Sequence, residues 1–382
     1  MPEIWIPYGK VEVPIDIKTE NLDQFIENNN EEIIKPEWNA IPEIKEKTIV
    51  IITENSITTE KAVIEFLKNQ IEKKTDLKKI HFSSNQNYPN LRRALSQFEM
   101  QLNQLSQELV DISTQDGVKI KGPKELVEYK NKIVISEIGL DPLFGFSGGP
   151  ISLLKLLDRK LIGEAFNRRI ENTPSSGKET RSSEFASSII SNIEGIMSIE
   201  TLPQENDELE AIIGKIETGH LISKKKFQQK YEIKTPDKKL ITVISPGGSP
   251  NDDTLLKTLN ALFNSVSIIP NNGTVILCGE CSLGIGSESL WKKIIGDINF
   301  KHLIKEEKYI EGLETIMFLE ELKKESSISL VSTLPNLYVD KLNINRYSKV
   351  NDALEDNLSK YKSRTKVRII PKASRTIFNN GI

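Results

Sequence analysis

The 382-residue sequence is poor in the residues that most often announce chemistry, with 2 cysteines, 3 histidines and 3 tryptophans. Cys278 and Cys281 are too few for a secreted disulfide framework. His81, His220 and His302 stand singly, without a carboxylate or second histidine at helical spacing, so no metal motif is present and no metal is expected. No apolar run approaches the ~18 residues of a membrane span, and the opening MPEIWIPYGK is too polar for a signal peptide. A cytoplasmic location is expected by elimination. The formal charge of −3 gives no strong field of either sign. Nucleic acid and membrane are therefore not expected partners, whereas a small ligand is open. The basic stretch SKYKSRTKVRIIPKASR reads either as a polyanion patch or, because it contains a strand, as a solvated face. No repeat of solenoid length occurs.

What remains, 37% apolar and 27% charged residues, is enough for two or three globular domains. The chain is organised around LITVISPGGSPNDDTLLKTLNALFNSVSIIPNNGTVILCGECSLGIG, residues 240–286. Residues 240–244 form a β-branched apolar run suited to a buried strand. Pro246, Gly247, Gly248 and Pro250 force a turn. Asp252 or Asp253 then caps a helix whose apolar positions, Leu255, Leu259, Leu262, Phe263 and Val266, fall at helical spacing. Asn272-Gly273 closes the unit, and Thr274–Leu277 is a second strand that runs into a glycine-bearing loop. This strand–helix–strand order predicts a right-handed parallel crossover. Ligands bind beyond the carboxyl ends of such strands, where both special loops, 245–251 and 279–286, are placed.

The rest of the chain also alternates strand and helix. A hairpin is expected around Tyr8-Gly9-Lys10, strands at Thr48–Thr53, Lys79–Phe82 and Lys132–Glu137, and helices at Thr58–Lys73 and Leu91–Leu109. The third strand enters IGLDPLFGFSGGP, whose Gly145, Gly148 and Gly149 leave free N–H groups of the kind that bind anions. A helix is expected from Ile151 to Arg169, a serine-rich loop over Asn172–Ser188, and a charged connector over Lys224–Lys239. Later elements are a helix over Leu303–Lys324, a strand at Ile328–Ser332, a helix at Val350–Tyr361 and a strand at Lys366–Pro371. The predicted organisation is an α/β protein of two domains, 1–235 and 236–382, with a variable segment over about 170–235 and a cleft between the domains.

Cys278-Gly-Glu-Cys281 has redox or metal spacing, but no second pair completes a zinc site and glycines follow it instead of a helix. It reads as small residues that close a strand. The SGG of 147–149 and the PGG of 246–248 each follow a predicted strand in a different domain, as the two sides of a cleft would. Lys155, Arg159, Lys160, Arg168, Arg169 and Arg181 follow the first loop, either to neutralise a carboxylate or phosphate or as solvated charges.

These pieces resemble the nickel-dependent lactate racemase family. PGGSPNDD, the following helix and GECSLGIG are similar to that family's PGG-x-P-x-D, helix and A-E-C-x-x-G-x-G. GFSGG at 145–149 is similar to its G-[FY]-S-G-G, and Tyr8-Gly9-Lys10 and VRIIPKASRTI to its two ends. The resemblance implies two α/β domains around a cleft. It also implies a nickel pincer nucleotide, tethered through a lysine, that takes a hydride from the α-carbon of a 2-hydroxy acid and returns it to either face. Histidines there serve as acid and base, and one ligates nickel. Such a cofactor carries the difficult step, because a Cα–H beside a carboxylate is very hard to deprotonate.

Carried over residue by residue, that chemistry is missing. The tethering lysine corresponds to Ile151, and a histidine before GFSGG to Asp141. The Ala-Thr-Gly-x-His turn corresponds to FSSNQNY and the Asp-x-Thr-Arg-Pro segment to TENSITTE. The substrate-contacting tyrosine and lysine correspond to Leu256 and Asn260. Ser147, Gly148, Gly149, Gly247, Gly248, Glu280 and Gly284 remain as ligand-site residues, or as turn formers. Three readings follow. The first is a diverged member without classical racemase activity or a pincer cofactor, which binds a small carboxylate or other polar ligand in the cleft. The second is an active 2-hydroxyacid racemase or epimerase with a non-covalently held cofactor and Asp141 or Glu280 as acid/base. The third is a structural or assembly subunit.

Overall fold

The structure is a computed structural model that describes residues 3–26, 33–115, 118–169, 176–204, 208–234, 237–297, 299, 303, 309–361 and 364–379. Its strands include two six-stranded sheets. The first runs Ala211–Lys215, Ile196–Thr201, Asn131–Glu137, Thr48–Ile52, Ile80–Ser84, Leu102–Gln104, parallel except for its first strand. The second runs Asn345–Tyr347, Ser327–Val331, Thr274–Cys278, Ile241–Ile244, Val367–Ile370, Leu22–Phe25 and is parallel throughout. Central strands of both are unbroken apolar runs because both sheet faces are covered. Thr48–Ile52 turns Ile49 and Ile51 to one core cluster, and Val50 and Ile52 to another.

The Glu3–Tyr8 and Val11–Asp16 hairpin is antiparallel, as its alternation predicts. It lays Ile4, Ile6 and Ile15 over Ile241, Val243 and Ile276 of the second sheet. The beginning of the described chain thus packs on strands more than 200 residues downstream, and Leu22–Phe25 closes that sheet's edge. The two halves meet through a cluster of Ile138, Phe146, Leu202, Phe227, Tyr231 and Ile377. Glu232–Lys234 and Ile377–Asn379 also pair as parallel strands across this junction.

Several expected elements differ. The helix expected over Leu91–Leu109 ends at Ser96, and strands Leu102–Gln104 and Leu109–Gln115 follow. Glu99 makes the turn with φ 56°, a conformation that no glycine or proline flagged. Helix 151–169 divides into Gly149–Leu154 and Arg159–Asn167, because Asp158 caps the second piece by accepting from the Lys160 N–H. The expected loop 172–188 contains a helix, Arg181–Ile190, started by a capping box between Thr180 and Ser183; its residues 172–175 lie outside the described residues. Lys224–Lys239 is not a connector at its start, since Ile216–Tyr231 is one helix that buries His220, Phe227 and Tyr231. Most of the expected 303–324 helix before residue 313 is outside the described residues, and Leu313–Glu325 is helical.

Candidate functional site

The PGG loop sits at the carboxyl end of the parallel strand Ile241–Ile244, as expected, whereas the SGG loop follows Gly145–Ser147, which pairs antiparallel with Gly139–Asp141 just beyond the end of Asn131–Glu137; the two loops are held in different ways. In the second half, Thr254 rather than Asp252 or Asp253 caps the Leu255–Asn264 helix, accepting from the Lys257 N–H. Asp252 is 0% exposed. Its Oδ2 accepts from the N–H of Gly9 at 2.7 Å and of Glu280 at 3.2 Å. One carboxylate therefore ties together the N-terminal hairpin, the 246–252 turn and the 279–286 loop. Gly248 lies against the Gly9 carbonyl, which also accepts from the Ser249 N–H at 2.7 Å. Glu280 packs its carboxylate against Gly9, and its carbonyl accepts from the Thr333 hydroxyl at 2.7 Å. Gly284 turns the loop at φ 86°, and its carbonyl accepts from the Leu255 N–H.

In the first half, Gly148 and Gly149 are seated on buried polar side chains. A Cβ on Gly148 would lie 2.2 Å from Glu200 Oε1, and one on Gly149 2.8 Å from His220 Nδ1. Glu200 Oε1 and His220 Nδ1 are themselves 2.8 Å apart and share a buried hydrogen bond. The Gly149 N–H donates to Ser136 Oγ. Both glycines have positive φ, so side chains are excluded by conformation as well as by space.

Between the loops is a cleft of about 940 Å³. Asn55, Thr58, Glu137 and Ser147 come to it from the first half, and Pro246, Gly247, Asn251 and Asn260 from the second. Lys10, Lys257, Lys372 and Arg375 add four cationic side chains, all from segments packed with the second sheet. Ser147 and Gly247 are the sequence-selected residues that line it. Gly148, Gly149 and Gly248 sit behind those two, while Glu280 and Gly284 belong to the neighbouring loop. Thr58, Glu137 and the lysines also line it, although no motif in the sequence marks them as cleft residues. Glu137 has one signal in the sequence, a carboxylate that ends a strand with the apolar centre Ile133-Val134-Ile135. Its Oε2 accepts from the Thr58 hydroxyl. Burial raises its pKa, while the hydrogen bonds from Thr58 and Ser56 and the charge of Arg375 oppose the rise.

A recess of ionisable groups adjoins Glu137. Burial, with repulsion from Glu137, pushes Glu54 up to about 7, and Ser152 Oγ donates to it at 2.9 Å. Asp141 is not a free acid: it accepts from the Leu143 and Phe144 N–H groups and pairs with Lys155 at 2.9 Å. Burial works against the Lys155 charge, but Asp141 together with Glu54 and Glu314 raises its pKa. The Lys155 side chain is 45% exposed, so the recess is wetted although protein surrounds it. Glu314 is pushed up to about 7 by burial and by Asp141.

Ile151 is 1% exposed in an apolar cluster with Leu153, Leu154 and Phe166. Among the described residues no group of three or more His, Cys, Asp and Glu side chains is disposed to hold a metal; His302 lies outside them. His81 rests against Tyr129 and His220 pairs with Glu200. Cys278 and Cys281 are buried and free, and burial raises both thiols, Cys281 to about 11. No helix among the described residues is long and apolar enough to cross a membrane.

No family model matches the sequence, and no curated protein does. Solved structures do match. The lactate racemase apoprotein from Thermoanaerobacterium thermosaccharolyticum has a TM-score of 0.81 at 16% identity, over 99% of this chain and 100% of that one. A protein from Thermotoga maritima has a TM-score of 0.63 at 14% identity, over 88% of this chain and 94% of that one. At such identities the likeness is one of fold, and the chain has the lactate-racemase-like α/β fold.

Proposed function

We propose that this lactate-racemase-like protein binds a small polar or anionic ligand in the cleft and is a diverged form without a lysine-tethered nickel pincer. One observation carries the reading. Lys10, Lys257, Lys372 and Arg375 line a cleft that Glu137 and Thr58 line as well. Such a site attracts an anion and offers a carboxylate that accepts a hydrogen bond from a hydroxyl.

The residues do not fit the tethered cofactor. The position that needs an amine carries a branched hydrocarbon packed into the core. Lys155, one helical turn further on, has its ammonium held by Asp141, which stands where the resemblance expects a histidine. Intact mass and metal analysis of protein from its native host test this part: a nucleotide-sized increment or stoichiometric nickel would refute it. Thermal shift against small anions tests the ligand reading, since a ligand at about 100 times its Kd adds ~2.7 kcal/mol of stability. Silence across the panel would favour a structural or assembly role.

An isomerase that uses a carboxylate as acid/base is the second reading. Glu137 favours it, because this carboxylate both lines the cleft and has a raised pKa.

A further inference from the structure

The composition of the cleft wall says more about the ligand than its charge does. Six carboxamides reach it: Asn55, Asn90, Gln204, Asn251, Asn260 and Asn264. Asn264 is spent within the protein, donating to the Ala373 and Ser374 carbonyls and accepting from the Ser176 hydroxyl. Buried or cleft-facing amides normally find partners within the protein. Here Gln204 Nε2 is buried with no hydrogen-bond partner among the described residues. Asn260 uses its oxygen to accept from Thr315 Oγ1 at 2.8 Å, which orients its NH₂ group as the remaining polar function. A carboxamide both donates and accepts, and so does an alcohol hydroxyl, so a row of amides is matched by a row of hydroxyls.

Size agrees with this. The cleft's 940 Å³ equals about 30 water volumes, far beyond the body of a three-carbon acid. The lining contains no aromatic side chain among the described residues, so no flat ring is offered for stacking against a base. Ile57, Ile138, Leu140 and Pro250 supply short aliphatic surface instead, suited to the C–H faces of a polyol.

We infer that the ligand of this cleft is a polyhydroxylated anion of the size of a sugar acid or sugar phosphate. Its acid group faces Lys257, Lys372 and Arg375, and its hydroxyls meet the carboxamides and Glu137. This inference rests on the ligand-binding reading above and narrows it.

Isothermal titration of the full chain with gluconate, glucose 6-phosphate, glucose, lactate, inorganic phosphate and AMP tests it. Gluconate or glucose 6-phosphate is expected to bind at least tenfold more tightly than glucose, lactate, phosphate or AMP. The comparison of those two identifies carboxylate or phosphate as the acid group. Asn90→Ala and Asn251→Ala remove exposed amides that make no side-chain hydrogen bond among the described residues, so folding is expected to survive. Each is expected to weaken the polyol anion about tenfold and to leave inorganic phosphate unchanged, whereas Lys257→Ala weakens both. Lactate, phosphate or AMP binding as tightly as the polyol anions would overturn the inference and leave the ligand-binding reading standing. Binding of none of the six would overturn both.

Discussion

The two glycine loops look alike in sequence but rest on unlike foundations. Ser147-Gly148-Gly149 bears on two buried, hydrogen-bonded side chains, Glu200 and His220. Pro246-Gly247-Gly248 bears on the backbone of the N-terminal hairpin and is fixed through Asp252. A loop on main chain has one seat, because a carbonyl has no rotamers. A loop on two side chains has a seat that shifts when either side chain changes rotamer. The first half of the cleft is therefore the adjustable wall and the second is the fixed one.

The contrast is broken most severely at Asp252. Asp252→Ala strands the Gly9 and Glu280 N–H groups in a buried site and is expected to cost about 3–5 kcal/mol, measured by urea unfolding. Asp252→Asn keeps an acceptor and is expected to cost less. An equal loss for both would show that charge rather than hydrogen bonding fixes the loop.

Next comes the recess behind the adjustable wall. Glu54 and Glu314 have folded pKa values pushed up to about 7, against 4.5 for an ordinary glutamate. The folded state thus binds their protons more tightly than the unfolded chain does. The cost of ionising them is absent below pH 4.5, grows between 4.5 and 7, and is complete above 7. Stability should fall as pH rises through that window. Glu54→Gln should recover up to ~3 kcal/mol at pH 8 and nothing at pH 4. A pH-independent effect of the variant would remove the recess from the comparison.

His220→Ala is expected to cost about 2 kcal/mol, since it leaves Glu200 buried without its partner. Hydrogen exchange should then speed up at Gly149 but not at Ser249, whose N–H is held by the Gly9 carbonyl. Faster exchange in both loops would erase the distinction. The smallest effect is expected at the cysteines beside the fixed wall. Buried thiols with raised pKa should resist alkylation at pH 8 until the protein unfolds.

The central strands were readable because an unbroken run such as TIVII or TVILC has few alternatives to a covered parallel strand. Polar edge strands such as Leu102–Gln104 carry no such run and were absorbed into a neighbouring helix. The serine-rich 181–190 helix hid its apolar stripe, Phe185, Ala186, Ile189 and Ile190, among residues that favour loops. Of the cleft, the glycine loops were legible because their conformations need glycine. The cationic wall was not, because Lys10, Lys257 and Lys372 come from three distant segments that only the tertiary fold brings together.

The placement of residues 3–26 on the second sheet has a consequence for how the chain matures. Asn21 Nδ2 donates to the carbonyl of Thr365, 344 positions away, and Leu22–Phe25 has its strand partner in Val367–Ile370. During synthesis the hairpin and the edge strand emerge long before the surface they are to cover exists. The first sheet has all six of its strands within residues 48–215 and can close while ribosomes are still reading the message. The second must wait for its latest strand, so truncation near residue 367 should leave a folded first half that trails an unpaired, protease-sensitive leader.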